Sequence, residues 1–347
     1  MRWAHRPPGS NWGEFGPDDQ LGRVNLLRDP ARVLRAAQEI RAGVTFALSL
    51  PLDLPGKSAL NPRRRPPLLF AIERPNGQPN YGYALSEDYP DLTDVVCDEA
   101  VVMFTQYSTQ WDSLAHVGSE FDVDGDGVKQ RVFYNGYRAG VDIQMPDAPA
   151  PDAAERRHER PRAAALGIDT MAATGVQGRG VMLDLAHHLG REPGPVGYDA
   201  LAQVMAADGI TVETGDIVCL HTGYGALLME MAGEPDMDRL NRCATLDGRD
   251  KRLQDWITGS GLVALVADNY AVEAFPASRV EAGCAHAALP LHELCLFKLG
   301  VPLGELWYLS ELAAWLREAG RTRFFLTAPP LRLPGAVGSP TTPVATV

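Results

Sequence analysis

Apolar positions in this chain come in short blocks separated by turn residues. Six runs rich in Val, Leu, Ile and Phe, each bounded by Gly, Pro or Asp, predict strands at 44–50, 100–104, 180–185, 216–221, 261–267 and 323–327. Helices are predicted between some of them. The first has clear punctuation: Asp29 can cap it, Pro30 fits its first position and Gly43 can end it, with Val33, Ala37 and Ile40 on one packed face. A second runs over 198–208 to Gly209, and a third over 310–319 to Gly320 with Leu312, Trp315 and Leu316 together. Strands mixed with helices predict an α/β fold. No internal repeat or linker interrupts the pattern, so residues 1–347 read as one domain. Residues 1–29, rich in Gly, Pro, Trp and Asp, predict turns rather than a regular element. The stretch 145–163 predicts a long exposed loop. The tail 329–347 predicts extended chain, either wrapped on a neighbouring subunit or loose.

Composition narrows the function classes. The chain has 347 residues, 45% of them hydrophobic and 22% charged, which are ordinary globular values. Its net charge of −12 argues against a polyanion as partner, and Arg63-Arg64-Arg65, set among prolines, reads as a solvated turn. No apolar run approaches the ~18–20 residues of a membrane span. The first eight residues lack the apolar core of a signal peptide. Five scattered cysteines without a C-x-x-C pair predict free thiols and a cytoplasmic protein, with Cys219 and Cys295 buried as small hydrophobes.

Two stretches carry candidate chemistry. Phe104-Thr105-Gln106-Tyr107-Ser108-Thr109-Gln110-Trp111-Asp112-Ser113-Leu114-Ala115-His116 turns abruptly polar after an apolar run. If it continues as a strand, even spacing puts Gln106, Ser108, Gln110 and Asp112 on one wall and Trp111 on the opposite, packed face. The alternative is a solvated edge strand. In the second stretch, His292 opens an apolar helix-like run that ends near Gly300, and Glu305 follows a short extended piece. A helix and a return strand would bring His292 to Glu305; the alternative is a capping His and an exposed Glu.

Taken together, these stretches resemble the cyclase-like metal-dependent hydrolases, a family that includes bacterial kynurenine formamidase and isatin hydrolase. The family signature His-x-Gly-Thr-His-x-Asp-x-Pro-x-His aligns without a gap on Gln106 through His116, and the second motif on His292, Gly300 and Glu305. Asn11-Trp12-Gly13, Arg179-Gly180-Val181-Met182-Leu183-Asp184, and Ala328-Pro329-Pro330 with Gly338-Ser339-Pro340 resemble its longer branch. The resemblance implies a cyclase-like fold, a β core with packed helices. It implies Asp112, His292 and Glu305 as metal ligands and His116 as the acid/base. Gln106 and Gln110 stand where the family has two ligand histidines. An amide oxygen is a poor zinc ligand, so the expectation is about one ion per chain, zinc or, given the oxygen donors, manganese. Gln106 and Gln110 then become metal or oxyanion contacts, and Asp268 a candidate for the substrate pocket.

The implied reaction is attack of a metal-activated water on an amide, formamide, lactam or lactone, with His116 moving the proton. Arylformamidase chemistry of tryptophan catabolism, with a small-molecule substrate, is the nearest analogy. A lyase or isomerase that uses His116, or an inactive binding protein, stay open because of the two glutamines. A homodimer is expected from the family and from base rates. Finally, Asp122-Val123-Asp124-Gly125-Asp126-Gly127 copies the first half of a calcium loop but has Phe133 in place of the closing Glu, so an ion-free turn is set against a structural calcium.

Overall fold

A computed structural model describes residues 1–146, 161–277 and 285–347. Most of the expected 145–163 loop lies outside them. The fold is α/β, built on a curled nine-stranded sheet. Four strands at its centre, Gln177–Asp184, Ile217–His221, Ala264–Ala267 and Leu303–Glu305, run parallel. Parallel neighbours need crossovers, and the helices Tyr198–Ala207, Lys251–Ser260 and the π-helical Glu293–Leu299 supply them. Antiparallel strands flank this centre. Gln110–Asp112 and Gly338–Pro340 lie beyond Leu303–Glu305. Arg323–Thr327, Val344–Thr346 and Thr45–Ala47 lie beyond Gln177–Asp184.

The central strands read as continuous apolar runs because both sheet faces are covered. Alternation divides them between two cores. Val181, Leu183, Val218, Leu220, Leu265 and Leu303 join Leu201, Leu253, Ile257 and Leu296 of the crossover helices. Met182, Ile217, Cys219, Ala264 and Val266 face the other way, onto Ile168, Met171, Leu312 and Leu316. A buried ion pair ties the start of this arrangement together. Arg179 donates to both oxygens of Asp216 at 2.8 and 3.0 Å, with both side chains almost fully enclosed.

Several expectations need correction. Residues 1–29 are not all turn: Gly22–Arg28 forms a 3-10 helix that buries Val24 and Leu27. Upstream, Trp12 is buried and donates to the Phe297 carbonyl at 2.8 Å. The first helix, Pro30–Ala37, is capped by Asp29 as expected, but its buried residue is Ala36, while Ile40 lies past its end and is exposed. The run at 100–104 contributes Glu99–Val102 to a separate two-stranded sheet with Leu68–Ala71. Parts of the C-terminal tail are tied into the sheet rather than hanging loose. Gly338–Pro340 and Val344–Thr346 close two positions of the chain's own sheet.

Candidate metal centre

The site stands where the parallel centre meets its antiparallel neighbour. Strands Leu303–Glu305 and Gln110–Asp112 pair with Glu305 opposite Gln110 and Leu303 opposite Asp112. Paired residues share a face, so Gln110, Asp112 and Glu305 project together. Trp111 points the other way, as expected, and packs edge-on against Trp307 at 5.1 Å. His292 comes from the crossover before Glu305. Pro290 sets the helix start, and Gly300, with φ 60°, ends the π-helical segment. A Cβ on Gly300 would meet the Gly22 Cα at 2.6 Å, so only glycine permits this turn against the N-terminal segment. The chain then returns directly into Leu303–Glu305 and brings His292 Nε2 to 3.3 Å from Glu305 Oε1.

Asp112, His292 and Glu305 thus converge. One ligand atom from each lies within 4.8 Å of the others, and all three side chains are buried. His292 Nε2 is 3.9 Å from Asp112 Oδ2, an oxygen with no hydrogen-bond partner among the described residues; Gln110 Oε1 is likewise unpartnered among them. Buried polar atoms normally find partners, so two orphaned oxygens beside a carboxylate pair fit a cation-binding pocket. The charge balance agrees. Burial alone would lower the His292 pKa, but hydrogen bonds donated to Glu273 and Glu305 and the charges of Glu305 and Asp112 outweigh it and push it up to about 10. The acidic surroundings of His292 thus favour positive charge at this cluster.

Gln110 follows the expected strand geometry, and Gln106 does not. Only Gln110–Asp112 is strand; residues 105–109 form a turn, and Ser108 bonds the Pro51 carbonyl instead of the cleft. Gln106 reaches the site from that turn through space left by Gly338, where a Cβ would lie 2.7 Å from Gln106 Cγ. Its Nε2 contacts Asp112 Oδ1 at 3.1 Å and His116 Nδ1 at 2.7 Å. Gln110 Nε2 donates to Glu305 Oε2 at 3.0 Å. Both amide N–H groups are thus spent on the site's own side chains rather than aimed at an oxyanion. His116 is half-buried, with Nε2 3.9 Å from Asp112 Oδ1.

Glu273 was not singled out from sequence, yet it is fully buried behind His292. Its Oε1 contacts His292 Nδ1 at 2.9 Å, and its carboxylate accepts the backbone N–H groups of Leu291 and His292. The backbone before it is strained: Ala271 and Val272 have φ of 76° and 61°. A β-branched residue there costs on the order of 1–3 kcal/mol. Asp268, the residue expected at the pocket from this same stretch, is used otherwise. It accepts from Thr222 N and Oγ1 and from Gly223 N at 2.6–2.9 Å, which fixes the start of the helix Tyr224–Met231.

The remaining candidates are engaged elsewhere. Asp122 accepts the N–H groups of Gly125, Asp126 and Gly127, and Asp124 pairs with Arg138, so this turn is built from its own backbone and a guanidinium. His221 bonds Asp184 at 2.7 Å and His188 bonds Asp208 at 2.9 Å. Cys219 and Cys295 are buried, and the described cysteines are free thiols. No helix among the described residues is long and apolar enough to cross a membrane.

Comparisons with known proteins bear on the family and the fold. The family model named Cyclase matches residues 46–274. A solved structure described as a novel cyclase is 30% identical, superposes with a TM-score of 0.73, and the match covers 99% of this chain and 100% of that one. Isatin hydrolase A from Labrenzia aggregata, bound to benzyl benzoate, is 15% identical with a TM-score of 0.53, over 89% of this chain and 94% of that one. An isatin hydrolase bound to the product analogue thioisatinate is 14% identical with a TM-score of 0.53, over 94% and 98%. Among curated proteins, no sequence matches.

Proposed function

Because the chain belongs to the Cyclase family, we propose that it is a metal-dependent hydrolase of a small amide, formamide, lactam or lactone, with arylformamidase-like cleavage of a C–N bond as the leading case. One observation carries this reading: the buried convergence of Asp112, His292 and Glu305. These residues would hold one divalent ion, zinc or manganese, whose chemistry is to activate water and polarise a carbonyl. His116 takes a proton at Nε2 and returns it to the leaving nitrogen. To accept there, its ring must carry hydrogen on Nδ1, and Gln106 must present Oε1 to it in place of Nε2. A half-turn of the amide does this. The turned oxygen then faces Asp112 Oδ1, which is tolerable only when a cation or proton offsets the Asp112 charge. Gln106 in this way couples His116 to the state of the acidic cluster.

Titration of chelator-stripped protein with zinc or manganese tests the reading, with elemental analysis of the product. About one equivalent per chain should bind, and Asp112→Asn or Glu305→Gln should abolish it. Two equivalents, or none at high metal, refute the single-ion site. Retention of the pocket without metal would instead favour a lyase, isomerase or binding protein. A panel of aryl formamides, including that of tryptophan catabolism, with lactams and lactones, identifies the substrate class. Unpaired cysteines favour a reducing, cytoplasmic setting.

A homodimer is part of the proposal. The two-stranded sheet of Leu68–Ala71 and Glu99–Val102 is marginal by itself, and Leu68, Leu69, Phe70, Val101 and Val102 are exposed on it. A second copy covering this ribbon would bury that surface. Light scattering should give twice the 37.6 kDa chain mass, falling to one chain in Leu69→Asp/Val102→Asp. A wild-type monomer at high concentration refutes it.

A further inference from the structure

We propose that Glu273 is a positioning residue that fixes the ring of His292, so that its Nε2 lone pair is aimed at the space between Asp112 and Glu305. This rests on the single-ion reading above. His292 has two ring nitrogens with separate surroundings. Nε2 faces Glu305 Oε1 at 3.3 Å and Asp112 Oδ2 at 3.9 Å, while Nδ1 meets Glu273 Oε1 at 2.9 Å. A carboxylate can only accept, so Nδ1 carries hydrogen there. A neutral ring then has its lone pair on Nε2, the atom that a cation would need.

Glu273 is itself held firmly. Leu291 N donates to its Oε1 and Oε2 at 3.0 and 2.9 Å, and His292 N donates to Oε1 at 2.9 Å. These are N–H groups of the first turn of the helix that begins at Pro290, where the N-cap position, Leu289, makes no side-chain cap bond. One carboxylate therefore caps the helix and grips the ring of the second residue after Pro290. Rotation of the ring and displacement of the helix are opposed by the same group. Gly248 leaves the room: a Cβ there would lie 2.1 Å from Glu273 Oε2. The carboxylate is delivered from the opposite side by the 271–272 turn, tied to Leu246 through Leu246 N to Val272 O and Ala274 N to Leu246 O. Glu273 makes no contact with Asp112 or Glu305 among the described bonds, so its effect on an ion runs through His292.

The test compares the wild type with Glu273→Ala and Glu273→Gln. Zinc affinity is read by competition with a chromophoric chelator, folding by thermal melting, and the His292 ring by ¹⁵N-histidine NMR. Glu273→Ala should weaken zinc about 10–100-fold, the usual loss when such a partner of a metal-bound His is removed. Glu273→Gln keeps an acceptor oxygen and should recover part of that loss. The slowly exchanging Nδ1–H signal of His292 should be present in the wild type and absent in Glu273→Ala. If Glu273→Ala melts earlier but binds zinc like the wild type, Glu273 is a helix cap only and the proposal falls. If Glu273→Ala does not fold, Glu273→Gln decides: unchanged zinc affinity and an unchanged Nδ1–H signal overturn it. If the wild type itself binds no zinc, the single-ion reading fails, and the Nδ1–H comparison alone then supports or overturns the positioning role.

Discussion

His292→Ala should remove bound metal and hydrolytic activity together, whereas His116→Ala should keep the metal and lose about 10²–10⁴-fold in turnover, the usual contribution of a general acid–base group. The geometry separates the two roles. His292 supplies the only nitrogen among the three converging ligand atoms, and without it two carboxylates face each other across a buried space. His116 lies to one side, 3.9 Å from Asp112 through Nε2 and bound to Gln106 through Nδ1. Elemental analysis and steady-state rates on a true substrate, measured for both variants, check the assignment. Metal lost from His116→Ala but kept in His292→Ala would reverse the roles. Full activity in both would place the chemistry elsewhere in the molecule.

Arg179→Ala should destabilise the fold by about 3–5 kcal/mol, the cost of leaving one member of a buried ion pair without its partner. Asp216 receives two guanidinium bonds, at 2.8 and 3.0 Å, and lies just before the strand Ile217–His221. With Arg179 gone, its charge would remain enclosed near the centre of the sheet. Urea unfolding should show a lower midpoint with an unchanged slope. The double variant Arg179→Met/Asp216→Leu removes both charges and should recover much of the loss, because an apolar pair of similar volume is often neutral in such a place. Equal destabilisation by the single and double variants would show that packing, not uncompensated charge, sets the cost.

The sequence by itself determined the α/β class and most of the central strands, and its resemblance to a family marked the three residues that converge. Apolar runs bounded by Gly, Pro and Asp are local signals, and each marks a segment that must be buried whatever surrounds it. His292, Gly300 and Glu305 were legible for a similar reason: a helix, a left-handed glycine and a return strand form a local device that closes on itself within 13 residues. Other features depended on partners far along the chain. Gln106 reaches Asp112 from a turn because Gly338, more than 200 residues later, leaves it space. The extended tail became two sheet strands only because Gln110–Asp112 and Arg323–Thr327 offered unpaired edges. The resemblance marked Asp268, but which carboxylate of this region faces His292 was set by backbone direction. A left-handed turn at Ala271 and Val272 aims Glu273 at His292 and leaves Asp268 to the turn before Tyr224. Spacing along a chain constrains neighbours on one element; the positive-φ turn that re-aims a side chain is favourable only when packing and hydrogen bonds from distant segments outweigh its strain.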